Sequence, residues 1–261
     1  GGYSLEGEWP FASGCTHTTW LMGAAAVYGP DGEARRQANG APDTRMLLVP
    51  TFAARIVDTW QVSGLRGTGS HTVAVTGLFV PHDQTASPVR DRRAPAGPLD
   101  AIPDGLLFAA GFSAVTMGIA RGALDAFIAL AAVKKPRDAR RVLQEDAVVQ
   151  TEVAQAEARL RSARAFLHET VREAWEAAVR GEALTDGQQV LLRLAATSGI
   201  HQAAQVVDTA YHAAGATAIF ASNGFERRFR DVHAVTQQAQ AQQHHFQAVG
   251  QFFLSLGPDD Q

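Results

Sequence analysis

Three short stretches of the sequence place polar side chains beside glycine or aromatic residues, in patterns that suit ligand binding. The first is Gly7–Cys15 (GEWPFASGC), in which the hydroxyl of Ser13 follows the aromatic ring of Phe11. The second is Gly64–Ser70 (GLRGTGS), whose three glycines allow the backbone to approach a ligand closely or to turn tightly. The third is Phe225–Ala234 (FERRFRDVHA), which combines an Arg-Asp pair with an imidazole. These stretches supply groups for hydrogen bonding and proton transfer.

Other common catalytic constellations are absent from the sequence. The adjacent His244 and His245 would point about 100° apart on a helix, which is poor spacing for metal ligands, so a solvated or interhelical polar face is the simpler interpretation. The single cysteine, Cys15, excludes a disulfide framework and a cysteine-rich metal site. There is no Gly-x-Ser-x-Gly elbow, no P-loop and no Gly-x-Gly-x-x-Gly loop. We therefore predict no metal site.

Composition and charge narrow the class of protein further. The 261 residues are enough for one large domain or two modest ones, each with its own core. Lys and Arg total 23 against 26 Asp and Glu, whereas an electrostatic nucleic-acid binder needs a basic face. The most apolar stretch, Gly105–Val133, contains Arg121 and Asp125, so we expect a buried helix rather than a membrane span. With a single cysteine, a cytoplasmic location is the expectation.

Up to residue 98, short runs of Val, Thr and aromatic residues alternate with turn signals, which predicts a β domain. The predicted strands include Met46–Val49, Ala53–Val57 and Thr72–Val80. In the last of these, alternate residues would share one face: Val73, Val75, Gly77 and Phe79. The proline-rich segment Asp83–Pro103, with the basic run Arg90–Arg93, is interpreted as the linker that leads out of this domain.

After residue 98 the hydrophobic period becomes helical. Apolar residues recur at three- and four-residue steps along one predicted helix: Val149, Val153, Ala156, Leu160, Ala163 and Leu167. Gly181 would end this helix, and a capping box of Thr185 and Gln188 would open the next. A last helix would begin near Asn223 and run to Leu256. With the apolar helix described above, four long helices and short connections predict an antiparallel bundle.

These two halves define the predicted architecture. The fold class is α+β and multidomain, with a β-barrel or sandwich domain over residues 1–98 and an antiparallel four-helix bundle over residues 99–261. Composition and periodicity alone say nothing more specific about function.

The three stretches, in this order and on these element types, resemble the acyl-CoA dehydrogenase superfamily, and more narrowly its reduced-flavin monooxygenase branch. The second stretch belongs to a longer pattern that includes Trp60 upstream and Phe79-Val80-Pro81 after the following strand. The resemblance covers the family's middle β domain and its C-terminal helical bundle, and the family's N-terminal helical domain has no counterpart here. It implies that the β domain contacts flavin and that the bundle contributes to flavin and subunit contacts.

The resemblance assigns flavin contacts to individual residues. In the family, an aromatic residue packs against the isoalloxazine ring and a hydroxyl bonds near its N5 edge, and Phe11 and Ser13 hold the matching positions. A hydroxyl suits this place because it can donate or accept as the flavin changes its redox state. Thr68 and Ser70 are expected to bond the flavin phosphate or ribityl chain, and Arg140 to reach the flavin of a neighbouring subunit. Taken alone, the first stretch is better interpreted as a β-strand leading to a Ser-Gly turn that needs no cofactor. An ordinary hairpin turn is an equally good interpretation of the second stretch.

The last predicted helix differs from that of the common dehydrogenases, whose catalytic glutamate lies about nine residues after the Arg-Asp pair. Counting from Arg230 leads to Gln238-Ala239, and no Asp or Glu lies between residues 232 and 258. The monooxygenase branch often has a histidine here instead, which this sequence also lacks. His233, about one and a half helical turns upstream, is the candidate for a base, and Gln238 is a candidate hydrogen-bonding group to flavin or substrate.

The function that the resemblance implies is the oxygenase component of a two-component flavin-dependent monooxygenase. Such a protein uses O₂ and reduced FMN or FAD from a separate flavin reductase to hydroxylate an aromatic, polyketide-like or amine substrate. Ser13, with His233 or Gln238, would carry the catalytic proton transfers, and a homotetramer without nucleic-acid or membrane partners is expected. Two alternatives remain: an acyl-CoA dehydrogenase-like FAD oxidoreductase with a relocated base, and a non-catalytic oligomeric relative.

Overall fold

The computed structural model describes residues 1–87, 97–137 and 139–255, and the structural statements below refer to these residues. They divide into two compact units. The first contains Gly1–Val62 and the described residues from Arg66 to 87, and the second contains Ser63–Leu65 and the described residues from 97 onward. Three residues in the middle of the β half therefore belong to the helical unit. Residues 88–96 of the proposed linker, which include the basic run Arg90–Arg93, and Leu256 lie outside the described residues.

Over its described residues, the first unit consists of two antiparallel sheets around one apolar core. Its strands are β1 (Gly2–Ala12), β2 (Trp20–Ala26), β3 (Thr44–Pro50), β4 (Arg55–Val57), β5 (His71–Pro81) and β6 (Thr85–Ala86). One sheet has the order β1-β5-β4 and the other β2-β3-β6. Alternating side chains such as Leu5, Leu47 and Val73 are buried in the core. The sheets stay separate, so the described unit is an open sandwich and not a closed barrel.

Strand β5 departs from the predicted alternation at Gly77. Val73 and Val75 are both buried, so these two residues share a face as predicted. Beyond Gly77, which has a φ of +60°, Phe79 is 63% exposed and Val80 only 1%. The pairing with β1 shifts by one residue at this point. A β-bulge therefore moves the following side chains to the opposite face, and the prediction that Phe79 shares a face with Val73 and Val75 is wrong.

The described part of the second unit contains five α-helices. They are α1 (Asp104–Val133), α2 (Ala147–Val179), α3 (Asp186–Ala213), α4 (Phe225–Thr236) and α5 (His244–Phe253). Helix α1 is long and apolar enough to span a membrane by length and composition. Its side chains of Ala120, Leu124 and Phe127 have no exposed surface and pack in the core of the helical unit, as expected for the core helix of a globular protein.

Local sequence signals set the boundaries of the long helices. The predicted capping box opens α3, because the Thr185 hydroxyl accepts a bond from the Gln188 N–H at 3.3 Å and the Gln188 side chain accepts one from the Thr185 N–H at 2.9 Å. Helix α2 ends just before Gly181, which adopts a φ of +75°. The fold class and these helix boundaries are as predicted.

The expectation of one continuous last helix is wrong. Helix α4 ends at Thr236, and residues 237–243, here called the glutamine strap, separate it from α5. The backbone turns extended at Gln238, with φ −74° and ψ 152°, and the Gln238 side chain accepts a hydrogen bond from the Gln240 N–H at 2.7 Å. The Gln240 N–H, which would bond a backbone carbonyl in a continuous helix, is thus satisfied by a side chain. The predicted fourth long helix is therefore two short helices.

Candidate active site

The end of β1 and the glycine-rich loop before β5 bring three predicted site residues together in the first unit. The Gly14 N–H donates to the Thr68 carbonyl at 2.8 Å and fixes the spacing of the two segments. The Ser13 hydroxyl lies 2.8 Å from that of Ser70, which lies 2.7 Å from that of Thr68. Ser13 is exposed, whereas Ser70 is only 4% exposed. These three side chains, here called the hydroxyl row, connect the surface to a buried position.

Phe11 combines an exposed aromatic ring with a costly backbone conformation. Its φ of +59° lies in the left-handed region, which costs a residue with a side chain about 1–2 kcal/mol. The ring is 74% exposed, and its edge-to-face contact with Trp60 has a centroid distance of 6.1 Å. Strain of this kind persists where the surrounding structure imposes it, often at ligand sites. An exposed ring held in this way, two residues from the Ser13 hydroxyl, is a suitable packing surface for a planar ligand.

In the second unit, His233 on α4 forms a hydrogen-bonded pair with Asp208 on α3. The distance from His233 Nε2 to Asp208 Oδ1 is 2.7 Å. Because a carboxylate only accepts, Nε2 carries a proton, and this selects the tautomer in which Nδ1 is the acceptor. The Phe229 ring packs on the imidazole at a centroid distance of 4.4 Å. The imidazole is therefore oriented by two neighbours, and its free nitrogen is suited to accept a proton.

This pair lines a polar groove of about 490 Å³ between α3, α4 and the glutamine strap. The polar side chains along it are His201, Gln205, Asp208, His233, Thr236, Gln237, Gln242 and Gln243. A volume of this size suits a small molecule. Neither Lys nor Arg occurs among the described residues that line the groove, so its hydrogen bonding comes from imidazole, amide, hydroxyl and carboxylate groups.

Three side chains of α3 hold the glutamine strap in place. The Thr197 hydroxyl donates to the Gln240 carbonyl at 3.0 Å, and His201 Nε2 donates to the Ala241 carbonyl at 2.8 Å. The guanidinium of Arg193 bonds the Gln240 side chain, and burial lowers the pKa of this arginine. Since these α3 residues recur every four positions, they share one helix face. The strap is therefore fixed from α3, a contact that no local sequence signal predicts.

Two other predicted site residues lie apart from the groove lining. The Gln238 side chain caps the glutamine strap, whereas its neighbour Gln237 lines the groove. Arg140 lies in the connection between α1 and α2, where it lines a separate hollow of about 290 Å³ together with Arg141 and Glu145. Within the described residues, no group of three or more His, Cys, Asp or Glu side chains is arranged to hold a metal ion.

The Arg-Asp pair of the third stretch anchors Ser63–Leu65 on α4. Arg230 donates to the Ser63 carbonyl at 2.6 Å, and the Asp231 carboxylate accepts from the Leu65 N–H at 2.7 Å. A Cβ atom on Gly64 would lie 2.1 Å from the Arg230 carbonyl oxygen. A glycine is therefore required here for close backbone packing, which gives the start of the glycine-rich stretch a structural reason.

Comparisons with known proteins agree with this architecture. Residues 110–243 match the acyl-CoA dehydrogenase C-terminal domain. The chain is 32% identical to indole-3-acetate monooxygenase of Pseudomonas putida, over 99% of this chain and 64% of that protein. It is 29% identical to the oxygenase component of the FADH₂-dependent resorcinol hydroxylase of Rhizobium sp., over 100% of this chain and 66% of that protein.

A solved structure shows the same fold. The crystal structure of 3-HSA hydroxylase from Rhodococcus sp. RHA1 has a TM-score of 0.83 and 27% identity, over 100% of this chain and 66% of that one. The chain thus spans just under two thirds of the length of each of these proteins. The superfamily resemblance of the three stretches is confirmed, and the chain belongs to the acyl-CoA dehydrogenase family.

Proposed function

We propose that the protein is the oxygenase component of a two-component, flavin-dependent monooxygenase. The observation that carries this proposal is the oriented His233–Asp208 pair at a polar groove, in a chain with no carboxylate between residues 232 and 258. A common acyl-CoA dehydrogenase needs a carboxylate base in that segment. The names of the P. putida and Rhizobium relatives, a monooxygenase and a hydroxylase, point the same way.

Reduced FMN or FAD is the proposed cofactor, and the first unit fits it. The exposed ring of Phe11 offers a packing surface, and the hydroxyls of Ser13 and Thr68 offer donors and acceptors for the polar edge and side chain of a flavin. Arg140, in the cationic connection between α1 and α2, suits a phosphate group. When bound, the reduced flavin supplies the electrons and the activation of O₂.

His233 is the proposed base for the substrate. Its Nδ1 would accept a proton from a hydroxyl or amino group, while Asp208 holds the tautomer and stabilises the imidazolium that forms. Gln237 and the other amides along the groove would hydrogen-bond and orient the substrate. Gln238 would contribute indirectly, since its side chain sets the shape of the glutamine strap.

The proposed partners follow from this reaction. They are an aromatic small molecule, O₂ and a separate flavin reductase, and the proposed location is cytoplasmic. We also propose a homotetramer. Helix α1 supports it, because large apolar side chains on this helix remain exposed in the single chain: Phe108, Val115, Ile128 and Val133.

The first test compares the affinities of the complete protein for reduced and oxidised flavin under anaerobic conditions. ¹⁸O₂ and a reductase are then added, with resorcinol and indole-3-acetate among the aromatic test compounds. A preference for reduced flavin and the appearance of one ¹⁸O atom in a product would support the proposal. Tight binding of oxidised FAD, bleached by an acyl-CoA thioester and without oxygen incorporation, would overturn it in favour of a dehydrogenase. Failure to bind any flavin would indicate a non-catalytic relative.

A further inference from the structure

Ser70 occupies the middle of the hydroxyl row, between Ser13 at 2.8 Å and Thr68 at 2.7 Å. Its hydroxyl carries one proton and is only 4% exposed, so its partners are the two neighbouring hydroxyls rather than bulk water. With one proton and two lone pairs, it can donate to one neighbour while it accepts from the other. The row can therefore run in two directions, one from Thr68 toward Ser13 and one the opposite way.

The two orientations change what Ser13 offers at the surface. When Ser70 donates to Ser13, the proton of Ser13 is free to be donated outward. When Ser13 donates to Ser70 instead, its oxygen can only accept from outside. Oxidised flavin presents an acceptor at N5 and reduced flavin presents an N–H donor, so a ligand that alternates between these forms needs both properties from one hydroxyl.

We propose that Ser70 is a positioning residue that lets Ser13 donate to oxidised flavin and accept from reduced flavin by reversing the direction of the hydroxyl row. This inference rests on the proposed function, in which Ser13 faces the flavin ring. It gives Ser70 a role through Ser13 rather than a direct contact with the flavin phosphate or ribityl chain. The Gly14–Thr68 backbone bond supports the role, since it holds the two segments at a fixed spacing.

The test is a double-mutant cycle that measures Kd for oxidised and reduced FMN and FAD by anaerobic titration. Ser70→Ala is expected to raise the Kd of both redox forms about fivefold, the effect of one ordinary hydrogen bond. Ser13→Ala should do the same, and the double variant should bind no more weakly than Ser13→Ala. Ser70→Thr keeps the hydroxyl and should restore binding. Ser87→Ala removes an equally buried serine hydroxyl of the same unit, at 4% exposure, and should leave both Kd values unchanged.

Several results would overturn the proposal. Ser70→Ala could leave the flavin Kd unchanged, or it could change the Kd of only one redox form. It could also raise the Kd in the Ser13→Ala variant by as much as it does in the unaltered protein. If Ser70→Ala does not fold, Ser70→Cys provides the same comparison, because a thiol is a much weaker donor of similar size. If the unaltered protein binds flavin but the effects of Ser70→Ala and Ser13→Ala are additive, the role of Ser70 is rejected and the proposed function stands. Absence of flavin binding in both redox states would reject the proposed function as well.

Discussion

At the scale of single residues, His233 depends on a partner that lies 25 positions earlier in the sequence. The sequence identifies His233 through its place beside the Arg-Asp pair, but it gives no sign of Asp208, a carboxylate in the middle of a different helix. Only the packing of α3 against α4 brings the two together. The same holds for the hydroxyl row, whose members were predicted as flavin contacts but whose mutual hydrogen bonds depend on how β1 meets the loop before β5.

Substitution of His233 tests its role as a base. His233→Gln keeps hydrogen bonding but removes the proton acceptor, so kcat should fall about 100-fold or more. Asp208→Asn leaves the imidazole in place without its orienting charge and should cost about tenfold. Both variants should keep the flavin Kd, because the change is confined to the groove. The measurement is the rate of ¹⁸O incorporation, with the exposed His212→Gln on α3 as the control. Full activity in His233→Gln would contradict the assignment.

At the scale of elements, the sequence predicts helix boundaries that depend on neighbouring residues and misses those that depend on contacts between helices. The capping box of Thr185 and Gln188 involves neighbours in the chain, so its pattern is visible and the start of α3 is correctly predicted. The glutamine strap that follows α4 is held by Thr197 and His201. Their side chains donate hydrogen bonds to backbone carbonyls of the strap that lie about 40 positions later in the sequence. A stripe of apolar residues continues on both sides of this break, which is why periodicity alone predicts one helix.

Arg193 is expected to stabilise the second unit by joining the glutamine strap to the start of α1. It bonds the Gln240 side chain and donates to the Gly105 carbonyl at 3.0 Å. Arg193→Met should lower the free energy of unfolding by about 2 kcal/mol, the usual effect of losing hydrogen bonds from a charged group. Urea unfolding measures this, with the exposed Arg164→Met on α2 as the control. Equal losses in the two variants would show that the strap does not depend on Arg193.

A charged contact between α1 and α2 gives a pH dependence. Glu157 bonds Arg121 at 2.5 Å and Arg161 at 2.6 Å, and the hydrogen bond from Arg121 is the main reason that the pKa of Glu157 is lowered. The folded pKa lies below the unfolded one, so the stabilisation is complete above the ordinary pKa of a glutamate and is lost as pH falls through the lowered value.

Glu157→Gln should therefore cost about 1 kcal/mol of unfolding free energy at neutral pH, a modest value because both side chains are partly exposed. The difference from the unaltered protein should shrink as the pH falls below the ordinary pKa of a glutamate and through the lowered pKa of Glu157. Urea unfolding across this pH range tests the prediction. Glu169→Gln, an exposed carboxylate of α2, is the matched control. If the difference in unfolding free energy between Glu157→Gln and the unaltered protein stayed constant with pH, the contact of Glu157 with Arg121 would not be the source of the pH dependence.

At the scale of the whole molecule, composition and hydrophobic period predict the order of a β half and a helical half. The domain boundary predicted after residue 98 assigns Ser63–Leu65 to the β half. In the structure these three residues belong to the helical unit. The reason is a contact with α4 over a very long separation in sequence, for which no periodic pattern exists. The family resemblance identifies the glycine-rich stretch, but the close packing of Gly64 against α4 becomes visible only in three dimensions.

Two glycines of this stretch provide a matched pair of substitutions. A Cβ atom at Gly64 would lie 2.1 Å from the Arg230 carbonyl oxygen, whereas one at Gly67 would meet nothing within 4 Å. Gly64→Ala should therefore lower the free energy of unfolding by about 2 kcal/mol, since backbone must move to make room. Gly67→Ala should change it by less than about 0.5 kcal/mol. Thermal or urea unfolding of the two variants decides the matter, and similar stabilities would mean that residues 63–65 do not pack as described.

The anchoring of Leu65 by Asp231 also has a consequence for synthesis. The two residues are 166 positions apart, so the ribosome produces Leu65 long before its partner exists. At typical elongation rates the interval is on the order of ten to thirty seconds. During that time residues 63–65 cannot make this contact with α4, although the strands on either side of them in the sequence have already been synthesised. The helical half therefore packs against a piece of chain made before its own first helix, and this contact can form only after α4 has been synthesised.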